Sequence, residues 1–325
     1  MGKSALLSTC GDPFILLLGI KLWKERWYDE IDNLYINYNN HCQIPYNIVT
    51  ECFSRLNDKK IHLIYHPSGI GNGPPQVENL LIAKEDLVLL LEDDFYIFTK
   101  GIVSGYFKKI ESGECDLLGS PRYTYGEVAD SAKKKYNLDY NGEGDRGFGW
   151  WPTGFYCKRK DLLKTDLDFG SKKYSRGEYF KELDYTFKED NYTDTFTWTS
   201  VQLRAMGLKA IEIPQYHADV YEIESKQKGI MNWRNGNPPY IHGGSLSAGW
   251  GGYLSGRLPD VSHVAAKQEI ETRCAFWKIA SDVVEGFEQF KDQYRSGIEN
   301  LIISCSLDRD RINTKIKIYK TLMNL

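Results

Sequence analysis

Glu92, Asp93 and Asp94 stand in a row directly after the apolar run Leu87-Val88-Leu89-Leu90-Leu91. Adjacent carboxylates repel one another unless a cation lies among them or one takes up a proton. A hard divalent ion, Mn²⁺ or Mg²⁺, resolves that repulsion because it takes oxygen ligands and can bridge to phosphates. The plain alternative is a solvated acidic turn after a core strand. Three further clusters carry groups capable of chemistry. Glu189, Asp190 and Asp194 precede a segment ending Arg204-Ala205-Met206-Gly207, and Trp150-Trp151-Pro152 lies in an aromatic, glycine-rich loop. The third is Ile241-His242-Gly243-Gly244-Ser245-Leu246-Ser247.

The elements that must position these groups follow from hydrophobic periodicity. Five apolar residues closed by acids predict a strand buried on both faces, and its carboxyl end is where open α/β sheets bind ligands. Before it, strands are expected over Ser4 to Thr9, Asn33 to Tyr38 and Lys60 to Tyr65. Helices are expected from Phe14 to Trp27, Ile44 to Leu56 and Gln76 to Ala83. The segment Gly-Asn-Gly-Pro-Pro at 71 to 75 lacks the Gly-Lys-Ser/Thr ending of a phosphate loop and reads as a tight connection. Alternating strands and helices imply a parallel sheet. Beyond it, Gly101 to Gly113 reads as helix, Asp116 to Gly119 as strand, and Ser120 to Gly149 as a long polar insertion. Strand returns at Thr153 to Cys157, then a helix from Thr195 to Met206 with Gly207 at its carboxyl cap, then strand from Leu208 to Ile213. From Ser262 onward the period is helical, which predicts a carboxyl-terminal helical appendage.

Composition bounds the function class. The chain has 325 residues, 42% hydrophobic and 26% charged, which fits a globular α/β protein. The net charge of −3 excludes a strongly cationic nucleic-acid coat. Locally, sixteen Lys/Arg face thirteen Asp/Glu between 100 and 182, including Lys133-Lys134-Lys135. Seven cysteines without a CxxC pair argue against zinc and disulfide frameworks and for a reducing, cytoplasmic setting. The amino-terminal apolar stretch is broken by Gly11-Asp12-Pro13 and lacks a signal-peptide pattern. No apolar run reaches the ~20 residues of a membrane span.

Taken in order, the acidic strand end, the aromatic loop, the acid-led helix and the His-Gly-Gly-Ser segment resemble the GT-A class of nucleotide-sugar glycosyltransferases, family 2 type. The resemblance covers residues 4 to 250 by motif order. It implies an α/β, GT-A (Rossmann-like) fold with a mostly parallel central sheet flanked by helices. The transferase domain would span 1–258, with a nucleotide-sugar half (1–98) and an acceptor and catalytic half (99–258), and a helical extension would follow at 259–325. Glu92-Asp93-Asp94 then matches the Asp-x-Asp motif, with Glu92 and Asp94 as metal ligands and Asp93 toward the donor. Glu in the first position departs from that pattern by lengthening the reach there, which makes Asp94 the safer metal ligand. His242 is expected to complete the metal site, and the competing reading is a hydrogen-bonded turn histidine. His217 is an alternative ligand, read otherwise as a structural strand-end residue. Asp194 is expected as catalytic base, with Asp190 as rival and a helix N-cap as its structural alternative. Thr9 and Asp12 would meet the nucleotide, and Ser245 and Ser247 would fold over the phosphates. Trp150 and Trp151 would stack on an acceptor ring or else form a buried wedge.

The function these readings support is metal-dependent transfer of a hexose or pentose from a nucleotide sugar, UDP-sugar first, to an acceptor hydroxyl. The acceptor is a glycan or lipid-linked sugar, or a 5-hydroxymethylated pyrimidine in phage-type DNA, flipped out to reach the site. A nucleotidyltransferase is the alternative enzyme, disfavoured because Leu7 to Asp12 carries no basic residue to grip a triphosphate. A non-catalytic glycan-binding module is the alternative outside enzymes.

Overall fold

The computed structural model describes residues 1–9, 16, 23–40, 46–47, 49–50, 58–71, 73–93, 95–122, 127–137, 149–216, 230–231 and 240–242. In chain order the first half contains β1 (Lys3–Thr9), β2 (Asn33–Asn39), β3 (Ile61–His66), α1 (Gly73–Ile82), β4 (Leu87–Glu92) and β5 (Phe95–Ile97). Next come α2 (Ile102–Glu111), β6 (Leu117–Gly119), β7 (Pro121–Arg122), α3 (Glu127–Tyr136), β8 (Gly149–Trp150), β9 (Phe155–Lys158) and α4 (Arg159–Leu162). Small strands β10 (Lys172–Tyr174), β11 (Tyr179–Phe180), β12 (Tyr185–Thr186) and β13 (Asn191–Thr193) precede α5 (Thr197–Ala205). The described chain closes with β14 (Ala210–Glu212), β15 (Gln215–Tyr216), β16 (Ile230–Met231) and β17 (Tyr240–His242).

Seven strands form one sheet in the order β14-β6-β9-β4-β1-β2-β3. Every pairing in it is parallel except those of β9, which runs antiparallel to both β4 and β6. The expected mostly parallel sheet flanked by helices is the observed one. β9 follows β8 and the short 151–154 connection and enters between β4 and β6 against the direction of both. Leu87 through Leu91 of β4 are all fully buried, as a central strand covered on both faces must be.

Chain order places the site. β1, β2 and β3 succeed one another in one direction, whereas β4 returns to the other flank of β1. The strand order therefore reverses between β1 and β4, and the crevice beyond their carboxyl ends is the switch point at which open α/β sheets take ligands.

Two helices differ from expectation. α1 begins at Gly73, so Pro74 and Pro75 lie in its first turn, where a missing N–H costs nothing. The stretch Ser120 to Gly149, read as a long insertion, contains α3, whose Val128 and Ala132 bury against Tyr174, Phe180, Leu183, Phe187, Trp198 and Val201. Its polarity belongs to the solvent face, Lys133-Lys134-Lys135 ending the helix where cations meet the negative end of the dipole. α5 ends as expected, with Gly207 at φ +69° donating its N–H to the Arg204 carbonyl. The appendage expected at 259–325 lies outside the described residues, as do most of the two helices expected before residue 57.

Candidate active site

Register in the sheet brings two of the expected residues together. β1 pairs with β4 so that Ser8 lies opposite Glu92, which sets Thr9 beside Asp93 at the mouth of the switch point. The Thr9 hydroxyl donates to Asp93 Oδ2. Asp93 is only 2% exposed, so this donor compensates part of the desolvation of a buried carboxylate. Glu92 is half-buried, and its N–H donates to the Thr153 hydroxyl at 3.0 Å, tying the end of β4 to the loop before β9.

His242 arrives by a second pairing. β17 runs antiparallel to β5, with His242 opposite Phe95, Ile241 opposite Tyr96 and Tyr240 opposite Ile97. Its backbone is thus held against the first residue of β5. Tyr240 stacks on Phe95, and its hydroxyl donates to the Pro214 carbonyl. Gly154 completes this packing. At φ +61°, a Cβ there would lie 2.4 Å from Phe95 Cζ, so only glycine lets the loop close on that ring. Asp94, Asp12, His217, Ser245 and Ser247 lie outside the described residues.

Asp194 lies between β13 and α5. Its Oδ1 accepts from the Thr195 N–H at 2.7 Å and the Thr195 hydroxyl at 3.0 Å. It does not cap α5: the N-cap position is Phe196, at φ 68°, with no side-chain cap bond. Asp194 Oδ2 accepts from Arg122 Nη2. Arg122 also donates through Nη1 to the Thr195 carbonyl at 2.8 Å and lies over the Trp151 ring, 4.1 Å from its centroid. Burial lowers the guanidinium pKa, while the negative charges of Asp194 and Glu92 pull the other way. One buried cation thus lies within electrostatic reach of both Glu92 and Asp194. Asp190 lies elsewhere: it is exposed and accepts the Arg176 N–H at 2.8 Å, at the far end of β13 from Asp194.

The two tryptophans separate. Trp150 is 1% exposed, packs against Phe155 and carries the Arg204 guanidinium 4.2 Å over its ring. Of the two readings for Trp150, its burial in the core cluster fits the wedge and not a ring open to an acceptor. Trp151 is half-buried beside Arg122.

Sequence reasoning missed Arg122, which follows Pro121 in a polar stretch and belongs to no spaced motif. It also missed a polar row at the carboxyl ends of β2 and β3. There Glu78 Oε2 pairs with His66 Nε2 at 2.6 Å and accepts from Asn37 Nδ2 at 2.7 Å. Asn40 Nδ2 donates to the Tyr65 hydroxyl at 2.9 Å. The run Asn37, Asn39, Asn40 was the available signal, since buried amides at a strand end need partners. Among the described residues, the carbonyl oxygen of the Asn37 side chain is buried without one.

Fold and site together define a mixed α/β protein with an acid-bearing switch-point crevice. No family model and no curated protein matches the chain. Among solved structures it is similar to S. aureus TarS 1-349 in complex with UDP-GlcNAc, at 12% identity and TM-score 0.42, over 100% of this chain and 91% of that one. It is also similar to GalNAc-T7 with UDP, GalNAc and Mn²⁺, at 8% identity and TM-score 0.43, over 65% and 41% of the two chains. The bifunctional IspDF from Campylobacter jejuni matches at 13% identity and TM-score 0.36, over 66% and 49%. Likenesses this distant leave the functional reading to rest on the residues of this chain.

Proposed function

We propose that this chain is a GT-A type glycosyltransferase that moves a sugar from a nucleotide sugar, UDP-sugar first, to an acceptor hydroxyl. The supporting observation is the switch point itself: Glu92 and Asp93 close β4 on one side, Thr9 closes β1 on the other, and Arg122 links their field to Asp194. The nucleoside would lie along the polar row at the ends of β2 and β3, with the diphosphate toward Glu92 to Asp94. His242 opposite Phe95 gives a backbone placement that fits a mixed oxygen and nitrogen donor set for Mn²⁺ or Mg²⁺. Glu92, Asp94 and His242 would hold the ion, which when bound neutralises the charge growing on a departing diphosphate.

The chain's own residues account for the rest. Asp194 takes the proton as the acceptor O–H bond breaks, and the freed oxygen bonds to the anomeric carbon. The carbon–oxygen bond to the phosphate breaks, and its electron pair leaves on the nucleoside diphosphate. A single, inverting displacement requires such a base within hydrogen-bond reach of the acceptor. Trp151 borders the acceptor side. The acceptor belongs to one of two classes, a glycan or lipid-linked sugar, or a 5-hydroxymethylated pyrimidine in DNA. Among the described residues no helix is long and apolar enough to cross a membrane. We assign residues 1–258 to the transferase domain and 259–325 to a helical extension, working in the cytoplasm.

The test is donor turnover across nucleotide sugars, with and without Mn²⁺, in the presence of glycans, hydroxymethylated DNA or plain duplex. Metal-dependent release of nucleoside diphosphate with one acceptor class is the expected result, and Asp94→Ala abolishes it. No turnover of any nucleotide sugar, or exchange of pyrophosphate into a nucleoside triphosphate instead, overturns the reading in favour of a binding module or a nucleotidyltransferase.

A further inference from the structure

A carboxylate offers about four lone-pair positions, two on each oxygen. In Asp194 both positions on Oδ1 are filled, by the N–H and the hydroxyl of Thr195. One position on Oδ2 is filled by Arg122. Among the described residues a single position is left, and it lies on the oxygen that the guanidinium holds. We propose that Arg122 is a positioning residue, which fixes Asp194 so that one lone pair of Oδ2 faces the acceptor hydroxyl. The inference rests on the transferase reading above, with Asp194 as the base.

The asymmetry of the pair supports a positioning role over a surface ion pair. The Arg122 side chain is 9% exposed and that of Asp194 is 48% exposed. The cation is therefore the rigid member and the acid the open one. Arg122 is locked at three points: the Thr195 carbonyl, the Trp151 ring, and the pairing of β7 with β8 that sets Arg122 opposite Gly149. Lysine could supply the charge but neither the fork nor the flat stack. Glu92 adds a second negative charge within reach of the same guanidinium, so the base and the donor end of the site share one fixed cation. The competing account is purely architectural, a tie between β7 and the start of α5.

Kinetics of the full-length chain separate the two accounts, using Arg122→Met, Arg122→Lys, Asp194→Asn and the double variant Arg122→Met with Asp194→Asn. Arg122→Met is expected to lower kcat by about 100-fold while the donor KM stays within about 3-fold, because the loss falls on the transition state. Arg122→Lys recovers part of that loss, roughly 10-fold, and the double variant turns over no more slowly than Asp194→Asn alone. Equal kcat in wild type and Arg122→Met, or losses that multiply in the double variant, would overturn the proposal. Should Arg122→Met fail to fold, Arg122→Lys and Trp151→Leu carry the test, and wild-type kcat in both overturns it. If Asp194→Asn itself keeps wild-type kcat, the base assignment fails; if it loses turnover and Arg122→Met does not, only this inference fails.

Discussion

Tyr240 stacks on Phe95 with ring centroids 5.4 Å apart and planes 25° from parallel. The contact joins β17 to β5 across a long stretch of chain, and the register it secures sets His242 beside the turn that carries the acids. In the proposed metal site the placement of His242 depends on this pairing.

Tyr240→Ala is accordingly expected to raise the Mn²⁺ concentration needed for half-maximal turnover by about 10-fold, as loss of supporting contacts around a metal ligand does. Titration of free Mn²⁺ by electron paramagnetic resonance reads the same shift without turnover. An unchanged titration would separate His242 from the metal.

Asp190 and Asp194 should differ sharply. Asp194→Asn is expected to lower kcat by about 100-fold or more with donor KM nearly constant, the range for loss of a general base. Asp190→Asn should leave turnover at the wild-type level, because that carboxylate is exposed and engaged with the Arg176 backbone. Steady-state kinetics on the two variants decide it, and the reverse pattern reassigns the base.

Removing the Thr9 hydroxyl takes a donor away from a buried carboxylate. Thr9→Val is expected to cost about 1–3 kcal/mol, the range for leaving a buried polar group short of a partner. Urea denaturation measures it. A change within error would mean that Asp93 draws its compensation from other groups.

The tryptophans predict opposite balances of stability and activity. Trp150→Ala should destabilise by about 3–5 kcal/mol, as deletion of a fully buried ring does. Trp151→Ala should lower stability much less, and its larger effect should fall on turnover. Thermal melts beside kcat values test both, and a marginal effect of Trp150→Ala on melting would return that ring to the acceptor side.

Acid should loosen the β14–β6–β9 edge of the sheet through Asp116. Its carboxylate accepts from Lys158 Nζ at 2.8 Å and from the Lys209 N–H at 3.0 Å, and these bonds lower its pKa. A lowered folded pKa means that the stabilisation is present above the unfolded value of about 3.9 and disappears as pH falls through the folded value. In urea titrations from pH 6 downward, Asp116→Asn should be less stable than wild type at pH 6 and converge with it in acid. A constant gap at every pH would remove Asp116 as the source.

Much of the architecture is legible in the sequence because it is local. An apolar run of five closed by acids predicts a buried strand with its charges at the end, and β4 is that strand. Spaced apolar positions followed by glycine mark α5 and its cap, since only a residue at ease with positive φ ends a helix that way. Direction within the sheet is not local: nothing in Phe155 to Lys158 states that β9 runs against its neighbours, because the strand pattern reads the same both ways. Nor does a tryptophan pair say which ring faces the core. Arg122 illustrates the limit most plainly. As a residue after proline in a polar stretch it carries no signal, and it acquires its place only when β7, β8 and the start of α5 meet around it. Residue types set which atoms could bind or move a proton, whereas the pairing of distant strands decided which of those atoms share a crevice.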